Sequence, residues 1–236
     1  MSTILITRPI DEATQTAEKL EAMGHRVVMA PVIRVEPVSF ELPEDNRSVI
    51  VTSKNGVRMG LANIGDKERP VFAVGEKTAD EARGLGFTNV TVGHGTARQL
   101  VPLLLECGLT DKRKYTHLCG SNVSYNICDV LKNEGLDAEK TITYQTKAVR
   151  GLSVGVQETL DEGVINIALF YSPRSATIFE EVVAEYGRSD WLRSLDALCL
   201  STRVADNLLG PWKSKEYAVI PTEKAMFSML AAAQKS

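Results

Sequence analysis

The chain has 236 residues, of which 44% are hydrophobic and 24% are charged, and this composition excludes a mainly disordered protein. The length favours one large domain or two small ones. A net charge of −3 gives no basis for general nucleic-acid binding, so any anion site must be local.

No apolar run approaches the ~20 residues of a membrane span, and residues 1–9 lack the regions of a signal peptide. We therefore expect a cytoplasmic protein with no membrane partner. The four cysteines form no CxxC pair, which favours reduced, structural thiols. The three histidines show no HExxH spacing, so no dedicated metal site is expected.

The first elements in the chain form a strand–helix–strand unit. ILITRP (residues 4–9) is a continuous apolar run, typical of a buried parallel strand. Residues 13–24 follow with helical spacing and a glycine stop at Gly24. HRVVMAPVI (residues 25–33) is the next predicted strand, and a right-handed crossover makes it parallel to the first.

The same alternation continues through the rest of the chain. Strands are predicted at residues 48–53, 71–75, 89–93, 115–120, 138–149, 166–172, 196–202 and 217–221. A helix is predicted after each of them except residues 217–221, which we expect to be the last element. Alternating strands and helices predict an α/β fold with parallel sheets.

About ten strands are too many for one compact sheet. We therefore predict two domains, each with a mainly parallel five-stranded sheet flanked by helices, as in flavodoxin-like folds. Residues 32–45 contain Pro37 and Pro43 and lose periodicity, and residues 142–151 are extended. We therefore predict a discontinuous domain 1 (1–35 plus 149–236) and an inserted domain 2 (38–146). Linker strands near 33–38 and 143–149 would join them, with the active-site cleft between the domains.

A weak internal repeat accompanies this division. Residues 53–57 (SKNGV) align with residues 172–176 (SPRSA), and residues 75–80 (GEKTAD) align with residues 201–206 (STRVAD). The shared order of elements favours a duplication, although such short matches also arise by chance.

Small polar residues recur where the predicted strands end. Ligands of open parallel sheets bind beyond the carboxyl ends of the strands, where helix N-termini present free N–H groups to carboxylates or phosphates. Each Ser or Thr taken alone is best explained as a helix cap, and each Arg or Lys as a solvated charge. Because six strand ends share this chemistry, we predict an anion-binding cleft.

Several motifs that define specific binding or catalytic sites are missing from the sequence. No GxGxxG follows a strand, and neither GxxxxGK[ST] nor GxSxG occurs. A cleft rich in small polar groups but poor in acids, bases and nucleophiles suits a catalyst that holds a reactive substrate in one shape. Tyr144 in the second connecting strand is either a packing residue or a proton donor to a leaving hydroxide.

The ordered set ILITRP, VIVTSKNGV, VFAVGEKTA, LCG with a later Y-x-T (residues 144–146), and FYSPRSA resembles uroporphyrinogen-III synthase over nearly the whole chain. The resemblance implies two α/β domains joined by a two-stranded linker. It also implies a cofactor-independent hydro-lyase that converts hydroxymethylbilane into uroporphyrinogen III, with loss of water and inversion of ring D, in porphyrin (haem-type) biosynthesis.

The resemblance also implies site residues and partners. Tyr144 would be the general acid that assists departure of the hydroxyl group. The expected substrate-binding residues are Thr7, Arg8, Thr52, Ser53, Asn55, Gly56, Gly75, Thr78, Ala79, Gly120, Ser172, Ser175, Ser201 and Thr202. We expect a monomer that binds no nucleic acid and receives hydroxymethylbilane from hydroxymethylbilane synthase.

One position departs from the family pattern, and one other function remains open. The later copy of the repeat has Val204-Ala205 where the earlier copy has Thr78-Ala79, so one hydroxyl is missing.

The alternative function is a non-catalytic two-domain protein that binds small anions. Such a binder would show saturable affinity without turnover.

Overall fold

The computed structural model describes residues 1–44 and 46–233, so Asp45 in the predicted connecting segment and residues 234–236 of predicted domain 1 lie outside the described residues. Strands and helices alternate along the described chain. The strands are β1 (Thr3–Ile6), β2 (Arg26–Met29), β3 (Ile33–Pro37), β4 (Arg47–Val51), β5 (Val71–Ala73), β6 (Val90–Val92), β7 (Lys114–Gly120), β8 (Ala138–Ala148), β9 (Ile167–Phe170), β10 (Asp196–Cys199) and β11 (Ser214–Tyr217). The α-helices are α1 (Ile10–Ala22), α2 (Lys54–Met59), α3 (Glu76–Gly84), α4 (Ala97–Asp111), α5 (Ile127–Asn133), α6 (Val154–Asp161), α7 (Pro173–Glu185), α8 (Ser189–Ser194), α9 (Thr202–Ala205) and α10 (Glu223–Ala233).

Two sheets organise these elements, which confirms the predicted α/β fold class. The first has five strands in the order β11-β10-β9-β1-β2, and the second has six in the order β3-β8-β7-β4-β5-β6. All pairs in the first sheet are parallel, and so are β8-β7, β7-β4, β4-β5 and β5-β6 in the second. Parallel strands align their carboxyl ends at one edge of each sheet.

The chain packs as two compact units. Unit 1 consists of Met1–Arg34 and Lys147–Ser236, and unit 2 consists of Val35–Thr146. Strands β3 and β8 are neighbours in the second sheet, and the Val38 N–H donates to the Thr143 carbonyl at 3.0 Å.

Each sheet is covered by apolar side chains on both faces, as expected for parallel strands. In unit 1, Phe170 of β9 makes edge-to-face contacts with Phe179 of α7 and with Trp212. In unit 2, Phe72 of β5 makes a similar contact with Tyr115 of β7, whose hydroxyl donates to the Leu104 carbonyl. None of the described helices is both long and apolar enough to cross a membrane.

Helix caps account for part of the polar chemistry at the strand ends. The hydroxyl oxygens of Ser53, Thr96 and Ser172 each accept the N–H of the residue three positions later, at 3.1, 3.2 and 3.1 Å. These caps satisfy amide groups that have no partner within the helix. They also fix where α2, α4 and α7 begin.

The prediction of five strands in the second sheet was one strand short. Residues 25–33 were predicted as one strand, but β2 ends at Met29 and β3 begins at Ile33. Pro31 lies between them, and a proline cannot donate a ladder hydrogen bond. The strand predicted over residues 25–33 therefore stops at Met29, while β3 falls on the stretch predicted as a linker strand near 33–38 and lies beside β8 as the sixth strand of the second sheet.

The prediction for the C-terminus was wrong in two respects. Residues 217–221 were predicted as a strand, but β11 covers Ser214–Tyr217, while Val219 and Ile220 are exposed. This edge strand carries Lys215 and Glu216, a pattern that protects an edge and hides its apolar periodicity. Helix α10 was missed, although Met226 and Leu230 form a buried stripe at i, i+4 spacing.

Replacement of Gly56 by alanine tests the close approach of α2 to β7. A Cβ at this position would lie 2.6 Å from the Leu118 carbonyl oxygen, so Gly56→Ala should lower the free energy of unfolding by about 1–3 kcal/mol. Gly155→Ala is the matched control, since no heavy atom lies within 4 Å of its added Cβ. Denaturant titration measures both variants, and equal midpoints would contradict the contact.

Candidate active site

A polar cavity of about 330 Å³ opens at the carboxyl ends of the strands in unit 2. It lies where β4, β5 and β7 end, which is the position at which open parallel sheets bind ligands. Its hydroxyl-bearing residues are Thr52, Ser53, Thr96, Ser124, Tyr125 and Tyr144. No charged residue is among the described residues that line the cavity. Its chemistry is therefore neutral hydrogen bonding.

The Tyr144 hydroxyl forms a hydrogen bond in the wall of this cavity. Its oxygen lies 2.9 Å from Ser53 Oγ, which also accepts the Gly56 N–H at 3.1 Å. When Ser53 donates its hydrogen to Tyr144, the phenol hydrogen is directed elsewhere and can be given to a ligand. The arrangement thus allows Tyr144 to act as a proton donor in the cavity.

A bulge in β8 and a glycine in β7 place the Tyr144 ring. Cys119 pairs with Ile142 but Gly120 pairs with Tyr144, so one extra residue, Thr143, is inserted in β8. A Cβ on Gly120 would lie 2.6 Å from the Tyr144 ring, so the ring rests where a side chain would otherwise stand. Bulges commonly redirect side chains next to active sites. The predicted residues Gly120 and Tyr144 are thus brought together.

Thr52, another predicted residue, contacts a histidine that the sequence analysis did not select. Its Oγ1 lies 2.8 Å from Nε2 of His117, which is only 1% exposed. Burial, followed by the positive charge of Lys140, lowers the pKa of His117 to about 4. The imidazole is therefore neutral at pH 7, with one N–H donor and one acceptor nitrogen.

The other predicted residues of unit 2 serve mainly as backbone positions. Gly56 and Ala79 are buried, Thr78 is 6% exposed, and Asn55 is partly exposed in the first turn of α2. Gly75 is the N-cap residue of α3, and its carbonyl accepts the N–H groups of Thr78 and Ala79. The cavity lining does not include Asn55, Gly75, Thr78 or Ala79.

In unit 1, Thr7 and Arg8 follow β1, but both already have partners. Thr7 is fully buried and donates to the Leu169 carbonyl at 3.0 Å. Arg8 pairs with Glu12 and Glu223, and it stacks 4.0 Å from the centre of the Tyr171 ring. A ligand carboxylate at Arg8 would have to compete with these two carboxylates.

The remaining predicted residues of unit 1 lie at the starts of α7 and α9. Ser172 Oγ and Ser175 Oγ are 2.9 Å apart, and Ser175 donates to the Ser172 carbonyl. Ser201 precedes α9 without capping it, and Thr202 is exposed. Their hydroxyls differ accordingly: the Ser172 and Ser175 hydroxyls pair with each other, whereas Thr202 faces solvent.

Five polar residues at the site were missed from the sequence. His117 lies in the middle of an apolar strand, where a histidine is easily assigned to the core. The other four line the cavity, but they belong to loops whose path the sequence pattern does not define; they are Thr96, Asn122, Ser124 and Tyr125. Thr96 alone carried a signal, since a threonine before an apolar helical run is typical of a cap.

Two buried cysteines, Cys119 and Cys199, lie near the carboxyl ends of their strands. Burial raises the pKa of the Cys119 thiol to about 11 and that of Cys199 to about 12, so both are protonated at pH 7. The described residues contain no group of three or more metal-ligating side chains.

Fold and site together define an α/β protein with a neutral, hydroxyl-lined cavity at its strand ends. The profile of a family described as uroporphyrinogen-III synthase HemD matches residues 14–228. The chain belongs to this family. The porphyrin biosynthesis protein HemD of Ruminiclostridium josui is 26% identical over 233 residues, covering 86% of this chain but 43% of that protein. The chain thus spans less than half the length of this relative.

Solved structures share the fold. The uroporphyrinogen-III synthetase of Helicobacter pylori has a TM-score of 0.66 at 16% identity, covering 99% of this chain and all of the other. A mutant uroporphyrinogen III synthase of Thermus thermophilus has a TM-score of 0.52 at 17% identity, with both chains fully covered. These likenesses agree with the two-sheet α/β architecture.

The buried neutral His117 predicts a pH dependence of stability. Its pKa falls from 6.5 to about 4 in the folded chain, so only the unfolded chain takes up this proton between these pH values. The free energy of unfolding should therefore drop by about 3 kcal/mol through this group as the pH falls from 6.5 to 4.

Denaturant titrations at several pH values test this expectation. His117→Gln should lose less stability than the wild type between pH 6.5 and 4. His94→Gln is the matched control, because His94 is exposed. A His117→Gln variant with the same acid dependence as both other proteins would contradict the assignment.

Proposed function

We propose that the chain is a uroporphyrinogen-III synthase, which dehydrates hydroxymethylbilane and closes it to uroporphyrinogen III with inversion of ring D. Family membership supports this activity, and it gives no support to the non-catalytic anion binder. The observation that carries the site assignment is the Tyr144–Ser53 hydrogen bond of 2.9 Å in the wall of a neutral cavity.

In the first step, the C–O bond of the terminal hydroxymethyl group breaks and its electron pair stays on oxygen. Tyr144 donates its phenol proton to that oxygen, so that water leaves. Ser53 stabilises the resulting phenolate, because its hydroxyl can donate to the Tyr144 oxygen at the observed distance. The methylene carbon that remains is an electrophile.

In the second step, this carbon bonds to the ring D carbon that already carries the bridge to ring C, which creates a spiro centre. The old bridge bond then breaks and forms again at the unsubstituted α-carbon of ring D, so the ring is inverted and that carbon loses its proton. The proton that ring D finally releases restores the Tyr144 phenol. Closure without inversion needs no enzyme, so the task of the protein is to hold ring D in one orientation.

The acetate and propionate groups on every ring of the substrate are the groups that the protein can bind in order to orient the substrate. Thr52 offers a hydroxyl in the cavity, and the N-terminus of the 15-residue helix α4 lies at its edge, where the Thr96 hydroxyl donates to Gln99 Oε1. Hydroxyls and helix N-termini bind carboxylates without a paired cation. Thr7, Arg8, Ser172, Ser175, Ser201 and Thr202 of unit 1 remain predicted carboxylate contacts.

The proposal also includes the setting of the reaction. The chain works in the cytoplasm as a monomer, and it receives hydroxymethylbilane from hydroxymethylbilane synthase. The substrate closes spontaneously without inversion, so a short path between the two enzymes favours the inverted product.

The activity is tested by adding the purified chain to hydroxymethylbilane, oxidising the product and separating isomers I and III by chromatography. We expect isomer III to dominate in proportion to the amount of protein. Isomer I alone, formed at the rate of the protein-free reaction, would contradict the proposed function and favour the anion binder.

Tyr144→Phe tests the proton donor. Loss of a general acid should lower kcat by roughly 100-fold, while the far-UV spectrum and the unfolding midpoint stay near those of the wild type. Tyr217→Phe is the matched control, since Tyr217 lies on the edge strand β11 of unit 1 and is 43% exposed. A folded Tyr144→Phe variant with unchanged kcat would remove Tyr144 from the acid role.

A further inference from the structure

His117 is a buried polar residue for which the proposed reaction has no step. It lies on β7 directly beside Ile50 of β4, and its Nε2 lies 2.8 Å from Thr52 Oγ1. Its other nitrogen, Nδ1, is buried without a hydrogen-bond partner among the described residues. Among the described residues, the Thr52 hydroxyl is therefore the only hydrogen-bond partner of this imidazole.

Two arrangements of the hydrogen atoms are compatible with this distance. Either Nε2–H donates to Thr52 Oγ1 and Nδ1 is a bare acceptor, or Thr52 donates to Nε2 and Nδ1 carries a buried N–H. Buried N–H groups without a partner are rarer in proteins than acceptors without one. The first arrangement is therefore favoured, and it leaves the hydrogen of the Thr52 hydroxyl unused.

We propose that His117 is a positioning residue that donates from Nε2 to Thr52 and thereby directs the Thr52 hydroxyl hydrogen into the cavity of unit 2. Thr52 lines this cavity, whereas His117 does not. Thr52 then acts as a hydrogen-bond donor whose ligand is an acceptor, and the ligand class is the carboxylate side chains of the substrate. The last point rests on the proposed function.

The surroundings of His117 support a fixed orientation. Lys140 of β8 lies opposite it in the strand register, and its positive charge disfavours a second proton on the ring. Tyr115 and Cys119, which flank it on the same face of β7, are buried. A neutral ring in a closed environment keeps one tautomer, and this tautomer sets the direction of the Thr52 hydroxyl.

The tautomer is measured directly by long-range ¹H–¹⁵N correlation spectra of ¹⁵N-histidine-labelled protein at neutral pH, with His117→Gln to assign the signal. We expect the hydrogen on Nε2. Thr52→Ser should preserve the His117 signal, whereas Thr52→Val should shift it. A hydrogen on Nδ1 would overturn the inference, whether or not the chain is active.

Kinetics of the full chain test the consequence for the substrate. Thr52→Val should raise KM roughly tenfold through one lost hydrogen bond, with a smaller effect on kcat. His117→Leu should raise KM by a similar factor, and His117→Gln, which keeps an amide donor near the Nε2 position, should recover most of it. The Thr52→Val/His117→Leu double variant should resemble Thr52→Val alone, because both changes remove one interaction.

The outcomes separate this inference from the proposed function. If His117→Leu multiplies KM by the same factor in the Thr52→Val background as in the wild type, His117 does not act through Thr52 and the inference fails. If the wild type forms no isomer III, the proposed function fails and the carboxylate assignment fails with it. Unfolding midpoints of all variants identify any that lose activity by losing the fold.

Discussion

The Ser53 hydroxyl is the group on which the geometry of the site depends, because it holds a helix and a tyrosine together. Its oxygen accepts the Gly56 N–H and thereby starts α2, and the same oxygen lies 2.9 Å from the Tyr144 hydroxyl. The cap fixes Ser53 on one side, and the missing side chain of Gly120 makes room for the tyrosine ring on the other. A residue that would otherwise be only a helix cap thus also orients the phenol.

The two sheets share one topology, which gives the short sequence repeat a structural meaning. Five strands of unit 2 run β8-β7-β4-β5-β6, and those of unit 1 run β2-β1-β9-β10-β11. The orders coincide when β4 is matched with β9 and β7 with β1, although β1 and β2 come first in the chain of unit 1. Ser53 and Ser172 then begin matching helices. This circularly permuted correspondence favours duplication over chance similarity.

The sequence predicted the strands and helices that depend on local residue patterns. It did not predict the features that depend on contacts between residues distant in the chain. Continuous apolar runs and glycine stops defined most strands and helices, since both follow from neighbouring residues. The inclusion of β3 as a sixth strand of the second sheet depends on its pairing with β8, and the edge strand β11 carries charged residues that hide its periodicity. In the site, Tyr144 was selected, but the bulge at Thr143 and the contact of His117 with Thr52 exist only once β4, β7 and β8 are paired.

A cavity lined by no charged residue among those described is consistent with a phenol that keeps its proton, as the proposed acid role of Tyr144 requires. A cation beside a phenol favours the ionised form, which cannot donate. The cations that follow Ser53 on α2 are turned to another partner: Lys54 and Arg58 lie 3.7 and 2.6 Å from the carboxylate of Glu81 on α3. The hydrogen bond from Arg58 in turn lowers the pKa of Glu81, which keeps this carboxylate charged. In the proposed function, the cavity of unit 2 would bind carboxylates through hydroxyls and backbone amides, which do not draw the proton from Tyr144.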